Sequence, residues 1–178
     1  TGSKSAVIVL EDADIDNLAI PAALASAYKT AGQRCVSGSR MIVHRSRYQE
    51  FTDKFVKFSR RIRVGDPTDP RVFYGPMINH AGVEKGSRFN ACAYREGFTV
   101  LLDRNNEEPP TPNGHWLFPF IYTGEWRSES SVLRDEAFSP HIVIIPADSV
   151  EDAVRIHNDT PYGLSVAVIT EDFRKARF

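Results

Sequence analysis

Short runs of apolar, mostly β-branched residues alternate along this chain with longer segments of helical periodicity, and this alternation restricts the possible folds more than any other feature. The first run, residues 6–10, contains no polar residue, which is typical of a strand buried on both faces of a parallel sheet. Further strands are predicted at residues 41–44, 98–102, 116–122, 141–145 and 164–170. The pattern therefore predicts an α/β domain with a layered, mostly parallel sheet.

Helices are predicted between these strands wherever apolar residues recur every three or four positions. Small apolar residues keep this spacing over residues 15–30, and Gly32 ends the helix. Ser46 is the expected N-cap of the next helix. The apolar face of that helix is formed by Phe51, Phe55, Phe58 and Ile62. Three further helices are predicted at residues 79–94, 128–135 and 150–158.

The charge and hydropathy of the chain exclude two classes of partner. The 178 residues include 22 Lys and Arg against 23 Asp and Glu, so no basic surface is expected that would bind nucleic acid or an anionic membrane. No apolar segment approaches the roughly 20 residues that a membrane-spanning helix needs. The sequence therefore predicts a soluble protein, which we place in the cytoplasm.

The cysteine and histidine content predicts neither a disulfide framework nor a metal site. The two cysteines, Cys35 and Cys92, are too few for such a framework, and neither stands in a Cys-x-x-Cys pattern. The five histidines are scattered without the spacing of metal ligands. A reducing, cytosol-like compartment fits this composition.

Cys35 has the local surroundings that best suit a nucleophile. A thiol reacts as the thiolate, which requires solvent access and a setting that lowers its pKa. Cys35 follows a glycine-ended helix in a polar stretch, and Arg34 and Arg40 are close to it in sequence. Cys92 falls inside a predicted helix among small residues, which indicates an inert, packed thiol. Because no histidine is near Cys35 in sequence, residue chemistry alone leaves its role open.

The segment from Gly32 to Arg40 resembles the active-site cysteine motif of the NAD(P)-dependent aldehyde dehydrogenases. Other segments resemble motifs of this family, in the family's order, over nearly the whole chain. They are the glycine-lysine turn at 1–5 with an acidic cap at 12–14, the Gly-Asp-Pro and Gly-Pro loops at 65–67 and 74–78, the glycine-aromatic strand at 114–119, the segment 135–140, which resembles the family's Glu-Glu-x-Phe-Gly-Pro motif, and the Asn-x-x-x-Tyr-Gly-Leu motif at 158–164.

This resemblance implies a fold, an activity and a set of site residues. The fold would be a three-layer αβα catalytic domain, and the activity the oxidation of a small aldehyde by NAD or NADP, with NAD as the default. Cys35 would be the nucleophile, Glu136 would bind the nicotinamide ribose and Phe138 would pack beside the nicotinamide. Arg34 and Val36 would line the aldehyde pocket, where Arg34 could pair with a carboxylate on a semialdehyde. The parent protein would be a homodimer or homotetramer.

The same resemblance implies that residues 1–178 are a domain truncated at both ends. In the family the water-activating glutamate immediately precedes the glycine-lysine turn, and the dinucleotide-binding domain lies further N-terminal. We therefore expect the isolated chain to be inactive. Ser3 and Ser139 stand where the family has glycine, so a backbone conformation that favours glycine is expected at both positions.

Three alternatives stay open. The parent could acylate coenzyme A instead of releasing an acid, since the glutamate that helps to separate these reactions lies outside the chain. Cys35 could instead serve a thiol hydrolase or acyltransferase, which requires a histidine beside it in space. Finally, the parent could be an inactive member of the family with a structural or binding role.

Overall fold

The computed structural model describes residues 2–177, so Thr1 of the predicted turn and the terminal Phe178 lie outside the described residues. Its centre is a six-stranded sheet in the order β3-β4-β5-β2-β1-β6. The strands are β1 Ala6–Val9, β2 Arg40–His44, β3 Thr99–Asp103, β4 Phe120–Thr123, β5 His141–Ala147 and β6 Val166–Ile169. All neighbours are parallel except β3 and β4. The predicted α/β fold with a mostly parallel sheet is confirmed.

Helices cover both faces of this sheet. The first helical stretch joins a π-helical turn, Ile15–Ala19, to α1, Ile20–Tyr28, and to a 3₁₀ turn, Lys29–Gly32. The others are α2 Arg45–Ser59, α3 His80–Arg95, α4 Ser131–Arg134, α5 Val150–Asn158 and a terminal 3₁₀ turn, Lys175–Arg177. One core contains α1 and α2, and the second contains α3, α4 and α5. The domain therefore has the three αβα layers that the resemblance implied.

The unbroken apolar strands explain why both cores form. Along β1, Val7 and Val9 enter the core beneath α1 and α2, whereas Ala6 and Ile8 enter the core beneath α5, because successive side chains point to opposite faces. All four are buried. A strand of this composition is stable only between two apolar layers.

Several predicted boundaries are wrong, and two of them have an identifiable cause. The strand expected at 116–122 begins only at Phe120, since Pro119 has no N–H for the sheet and the Phe118 N–H bonds to Asn105 Oδ1 at 3.0 Å. His44, and not Ser46, is the N-cap of α2, because its Nδ1 accepts the Ser46 N–H at 3.3 Å. Within residues 2–177, no helix combines the length and apolarity needed to cross a membrane.

Candidate functional site

The predicted site residues meet at one edge of the sheet, where the parallel strands begin. Residues 3–5 precede β1, residues 32–39 precede β2, residues 136–140 precede β5 and residues 161–165 precede β6. These four strands are neighbours in the order β5-β2-β1-β6. Because neighbouring parallel strands start at the same edge, the four loops before them converge there.

An unusual backbone turn presents Cys35 at this edge. Thr30, Ala31 and Gly32 have φ of 57°, 55° and 70°, all in the left-handed region that L-residues avoid. At Gly32, a Cβ would lie 2.5 Å from the carbonyl oxygen of Ser139, so a larger residue does not fit. The following turn closes with the Ser37 N–H donating to the Arg34 carbonyl at 2.9 Å and leaves Cys35 exposed.

Ser5 holds the backbone of Cys35, and two other serines contact the Ser5 hydroxyl. The Ser5 hydroxyl donates to the Cys35 carbonyl oxygen at 3.3 Å and lies 2.8 Å from the Ser165 hydroxyl. Ser3 Oγ lies 2.5 Å from Ser5 Oγ. Since Ser3 and Ser5 are buried at the start of β1, they connect the cysteine loop to the rigid sheet.

Glu136 is fixed by the same segment of chain. Its Oε1 accepts the Ser3 N–H at 2.7 Å, and within residues 2–177 its Oε2 accepts no hydrogen bond. Oε2 lies beside Gly2, where a Cβ would be 3.3 Å from it and 2.8 Å from the Tyr162 ring. The carboxylate is thus oriented by one oxygen, and the other is available to a ligand.

Phe138 and Ser139 correct one expectation from the sequence. Neither Ser3 nor Ser139 has positive φ, so no glycine-like conformation is needed at either position. The strained residue is Phe138, with φ of 56°, and its side chain is 39% exposed. Ser139 is buried instead, and it packs against Gly86 of α3, where a Cβ would lie 3.1 Å from Ser139 Oγ.

Cys35 lines two clefts. The first, of about 360 Å³, is lined by Cys35, Glu136 and Phe138 together with Gly2, Gln33, Met77, Ile78, Gly82, Lys85 and Ala137. The second, of about 610 Å³, is lined by Gly2, Cys35, Pro161, Tyr162, Gly163 and Leu164. The exposed Cys35 therefore borders one cleft that contains Glu136 and a second cleft that does not. Within residues 2–177, no histidine lines either cleft.

Arg34 and Val36 lie outside the residues that line these clefts. The Arg34 guanidinium points back toward α1, where it donates to the Ala25 carbonyl at 3.4 Å, and its Nε is buried. Val36 is 46% exposed next to Cys35. The structure thus brings Cys35, Glu136 and Phe138 to one cleft, whereas Arg34 lines a separate, small cavity with Glu136 and Phe138.

Cys92 belongs to a different part of the molecule. It is half-buried on α3, and its thiol donates to Glu96 Oε1 at 3.2 Å. It lines neither cleft beside Cys35. The inert role predicted for Cys92 stays a prediction.

Two buried cations lie beneath the site: Lys4, and Arg40, which the sequence analysis named only as a neighbour of Cys35. Lys4 is 2% exposed, and burial, with the nearby Arg40 charge, lowers its pKa from 10.5 to about 7. Arg40 is fully buried; it donates to the carbonyls of Lys4, Ile156 and His157 at 2.8, 3.0 and 3.1 Å, and burial lowers its pKa to about 10. Both could have been found in the sequence as charged residues at or just before the start of a buried apolar strand.

The lowered pKa of Lys4 predicts how stability changes with pH. Below pH 7 the lysine is protonated in both states; between about 7 and 10.5 only the unfolded state keeps the proton. The free energy of unfolding should therefore rise with pH in this window, by at most about 1.4 kcal/mol per pH unit. Urea unfolding from pH 7 to 10 should show this rise in the wild type and in Lys57→Met. The same slope in Lys4→Met would contradict the assignment.

Comparisons with known proteins identify the family of this chain. A model of the aldehyde dehydrogenase family matches residues 1–178. The curated 2-hydroxymuconic semialdehyde dehydrogenase of Pseudomonas putida is 36% identical over 177 residues, which cover 98% of this chain and 36% of that protein. The chain thus spans little more than a third of the length of this relative.

Solved structures show the same fold. A 3,6-anhydro-L-galactose dehydrogenase in complex with NADP superposes with a TM-score of 0.92 at 33% identity, over 99% of this chain and 37% of that one. Betaine aldehyde dehydrogenase of Staphylococcus aureus in complex with NAD⁺ gives 0.93 at 28% identity, over 99% and 35%. Because the family model matches the whole chain, the protein belongs to the aldehyde dehydrogenase family.

Proposed function

We propose that this chain is the cysteine-bearing catalytic domain of a longer enzyme that oxidises an aldehyde to a carboxylic acid with NAD or NADP. The observation that carries the proposal is that Cys35 and Glu136 line one cleft, although they are 101 positions apart in the sequence. Family membership supplies the reaction class. The dinucleotide-binding domain would lie outside residues 1–178.

The cleft beside Cys35 suits a nicotinamide cofactor. Glu136 Oε2 is available to accept hydrogen bonds from ribose hydroxyls, while Ser3 holds Oε1. Phe138 offers an exposed aromatic side chain against which a flat ring can pack. When bound, NAD or NADP would supply the hydride acceptor. NAD remains our default between the two.

Cys35 would carry the covalent step. Its thiolate adds to the aldehyde carbon, so that a C–S bond forms and the carbonyl oxygen becomes an oxyanion in a thiohemiacetal. Loss of hydride from that carbon leaves a thioester on Sγ. Water then adds to the thioester, the C–S bond breaks, and the acid and the thiol are released. Because Cys35 lines both clefts, an aldehyde could reach it from the cleft that Glu136 does not line.

Our proposal extends to the substrate, the assembly and the location of the parent protein. The substrate is a small aldehyde, and Val36 is the residue beside Cys35 that could contact it. The Arg34 guanidinium, directed at Ala25, would support the cysteine loop more readily than bind a substrate carboxylate. A homodimer or homotetramer in the cytoplasm remains the prediction for the parent.

No observation favours the thiol hydrolase or acyltransferase. Such enzymes activate cysteine with a histidine, and within residues 2–177 none lines the clefts beside Cys35. The retained pairing of Cys35 with Glu136 in one cleft argues against an inactive family member. The coenzyme-A-acylating reaction differs only in the group that receives the acyl chain.

The test is aldehyde-dependent reduction of the cofactor. We expect the full-length protein to reduce NAD or NADP with a panel of aldehydes, followed at 340 nm, and the isolated 178-residue chain to have no activity. Adding coenzyme A and analysing the product separates thioester from acid. A full-length protein that binds aldehyde but reduces neither cofactor would refute the proposed function, and turnover by the isolated chain would refute the truncation.

A further inference from the structure

The Lys4 side chain crosses the interior of the domain and ends next to the loop that carries Glu136. Its Nζ donates to the carbonyl oxygens of Val132, at 3.0 Å, and Asp135, at 2.5 Å. Asp135 immediately precedes Glu136. The ammonium therefore joins two points of the segment that leads from α4 into the cofactor cleft.

Stability alone does not explain a lysine in this place. Burying an ammonium is unfavourable, and a well-packed apolar residue often replaces a buried charge without loss of stability. Within residues 2–177, both hydrogen-bond acceptors of Lys4 are backbone carbonyls, and neither is a carboxylate. Arg40 and Lys85 add repulsion, whereas Asp135 and Glu136 attract the charge from further away. The Lys4 amino group instead fixes the positions of the Val132 and Asp135 carbonyl oxygens relative to each other.

Ser3 and Lys4, which are adjacent in sequence, fix the side chain of Glu136 and the backbone that precedes it. Ser3 holds the side chain through its N–H and Oε1 at 2.7 Å, and Lys4 holds the backbone just before it. Ser5, the next residue, contacts the carbonyl of Cys35. Three consecutive residues at the start of β1 thus set the position of Glu136 relative to the nucleophile.

We propose that Lys4 is a positioning residue for cofactor binding, which places the Glu136 carboxylate by holding the carbonyl oxygens of Val132 and Asp135. The proposal rests on the proposed function, because Glu136 must contact the cofactor for its position to affect binding. Lys4 itself touches neither substrate nor cofactor in this arrangement. Its loss should weaken cofactor binding without changing the reactivity of the thiol.

The experiment compares Lys4→Met with Lys57→Met in the full-length protein. Lys57 is exposed on α2, lines neither cleft beside Cys35, and should behave as wild type. For Lys4→Met we expect the Kd of the preferred cofactor to rise about tenfold, with kcat at saturating cofactor within about threefold of wild type. The rate of Cys35 alkylation without cofactor should stay within about twofold.

Several results would overturn the proposal. A folded Lys4→Met with unchanged cofactor Kd would do so, as would an equal loss of cofactor binding and thiol reactivity, which indicates general disruption. If the wild type reduces neither NAD nor NADP, the proposed function fails. The positioning role is then judged by a crystal structure of Lys4→Met, and an unmoved Glu136 rejects it.

A milder variant keeps the test decisive if Lys4→Met does not fold. The Tyr122 hydroxyl also donates to the Val132 carbonyl, at 3.2 Å. Tyr122→Phe removes this second donor and leaves Lys4 in place, so we expect the cofactor Kd to rise about threefold. An unchanged Kd in Tyr122→Phe would count against the role of the Val132 carbonyl and so against the proposal.

Discussion

Replacement of Cys35 by serine in the full-length protein is expected to lower kcat for aldehyde oxidation by at least about a thousandfold. A serine hydroxyl is far less acidic than a thiol, and within residues 2–177 no histidine lines the clefts to remove its proton. The binding of NAD or NADP should change little, because Glu136 and Phe138 are untouched. Steady-state kinetics and cofactor titration measure the two effects separately.

Cys92→Ser is the matched control for this prediction. Cys92 lies on α3, bonds to Glu96 and lines neither cleft beside Cys35, so its variant should keep kcat within about twofold. Thiol labelling at neutral pH adds a second measurement. An alkylating reagent should modify Cys35, the exposed thiol, faster than Cys92. Equal slow labelling of both thiols would favour a structural role for the parent, whereas activity retained in Cys35→Ser would refute Cys35 as the nucleophile.

Gly32→Ala should cause the largest loss of stability among single substitutions at the site. The new Cβ would lie 2.5 Å from the Ser139 carbonyl oxygen and 3.2 Å from that of Ala27, and φ at Gly32 is +70°. Two backbone segments would have to move apart, so we expect a loss of about 3 kcal/mol or more of unfolding free energy. Since Gly32 and Ser139 belong to the loops of Cys35 and Phe138, the cofactor Kd and the rate of Cys35 alkylation should change too.

Gly97→Ala separates backbone strain from the steric clash. Gly97 has φ of +76°, and no atom lies within 4 Å of the position that a Cβ would take. This variant should lose only about 1–2 kcal/mol, the cost of a left-handed L-residue, and retain activity. Urea unfolding of both variants gives the comparison. If Gly32→Ala is no less stable than Gly97→Ala, the close approach to Ser139 does not constrain the site.

The three-layer architecture could be predicted from the sequence because each strand and helix is encoded by the periodicity of apolar residues in its own segment. Runs such as residues 6–10 have no polar face, so only a strand between two apolar layers can bury them. Errors occurred where one hydrogen bond moved a boundary. The His44 ring took the capping role expected of Ser46, and the loop contact of Phe118 with Asn105 delayed β4 to Phe120.

The site could be predicted only in part, because its residues come from four separate loops. Cys35, Glu136 and Phe138 were identified from motifs, and the structure brings all three to one cleft. Lys4 and Ser5 were not identified as site residues, since their hydrogen-bond acceptors lie far away in the chain, 128 positions from Lys4 and 30 positions from Ser5. The strain expected at Ser139 lies at Phe138 instead.

The sequence by itself determined the α/β layers, the family resemblance and the candidate nucleophile, because hydrophobic periodicity and short motifs are local properties of a chain. Only the tertiary structure decided that Cys35 and Glu136 share a cleft, that the Arg34 guanidinium is directed at Ala25, and that a buried Lys4 holds the loop before Glu136. The physical reason is strand order. Parallel pairing of β5, β2, β1 and β6 gathers loops that are distant in sequence at one edge of the sheet.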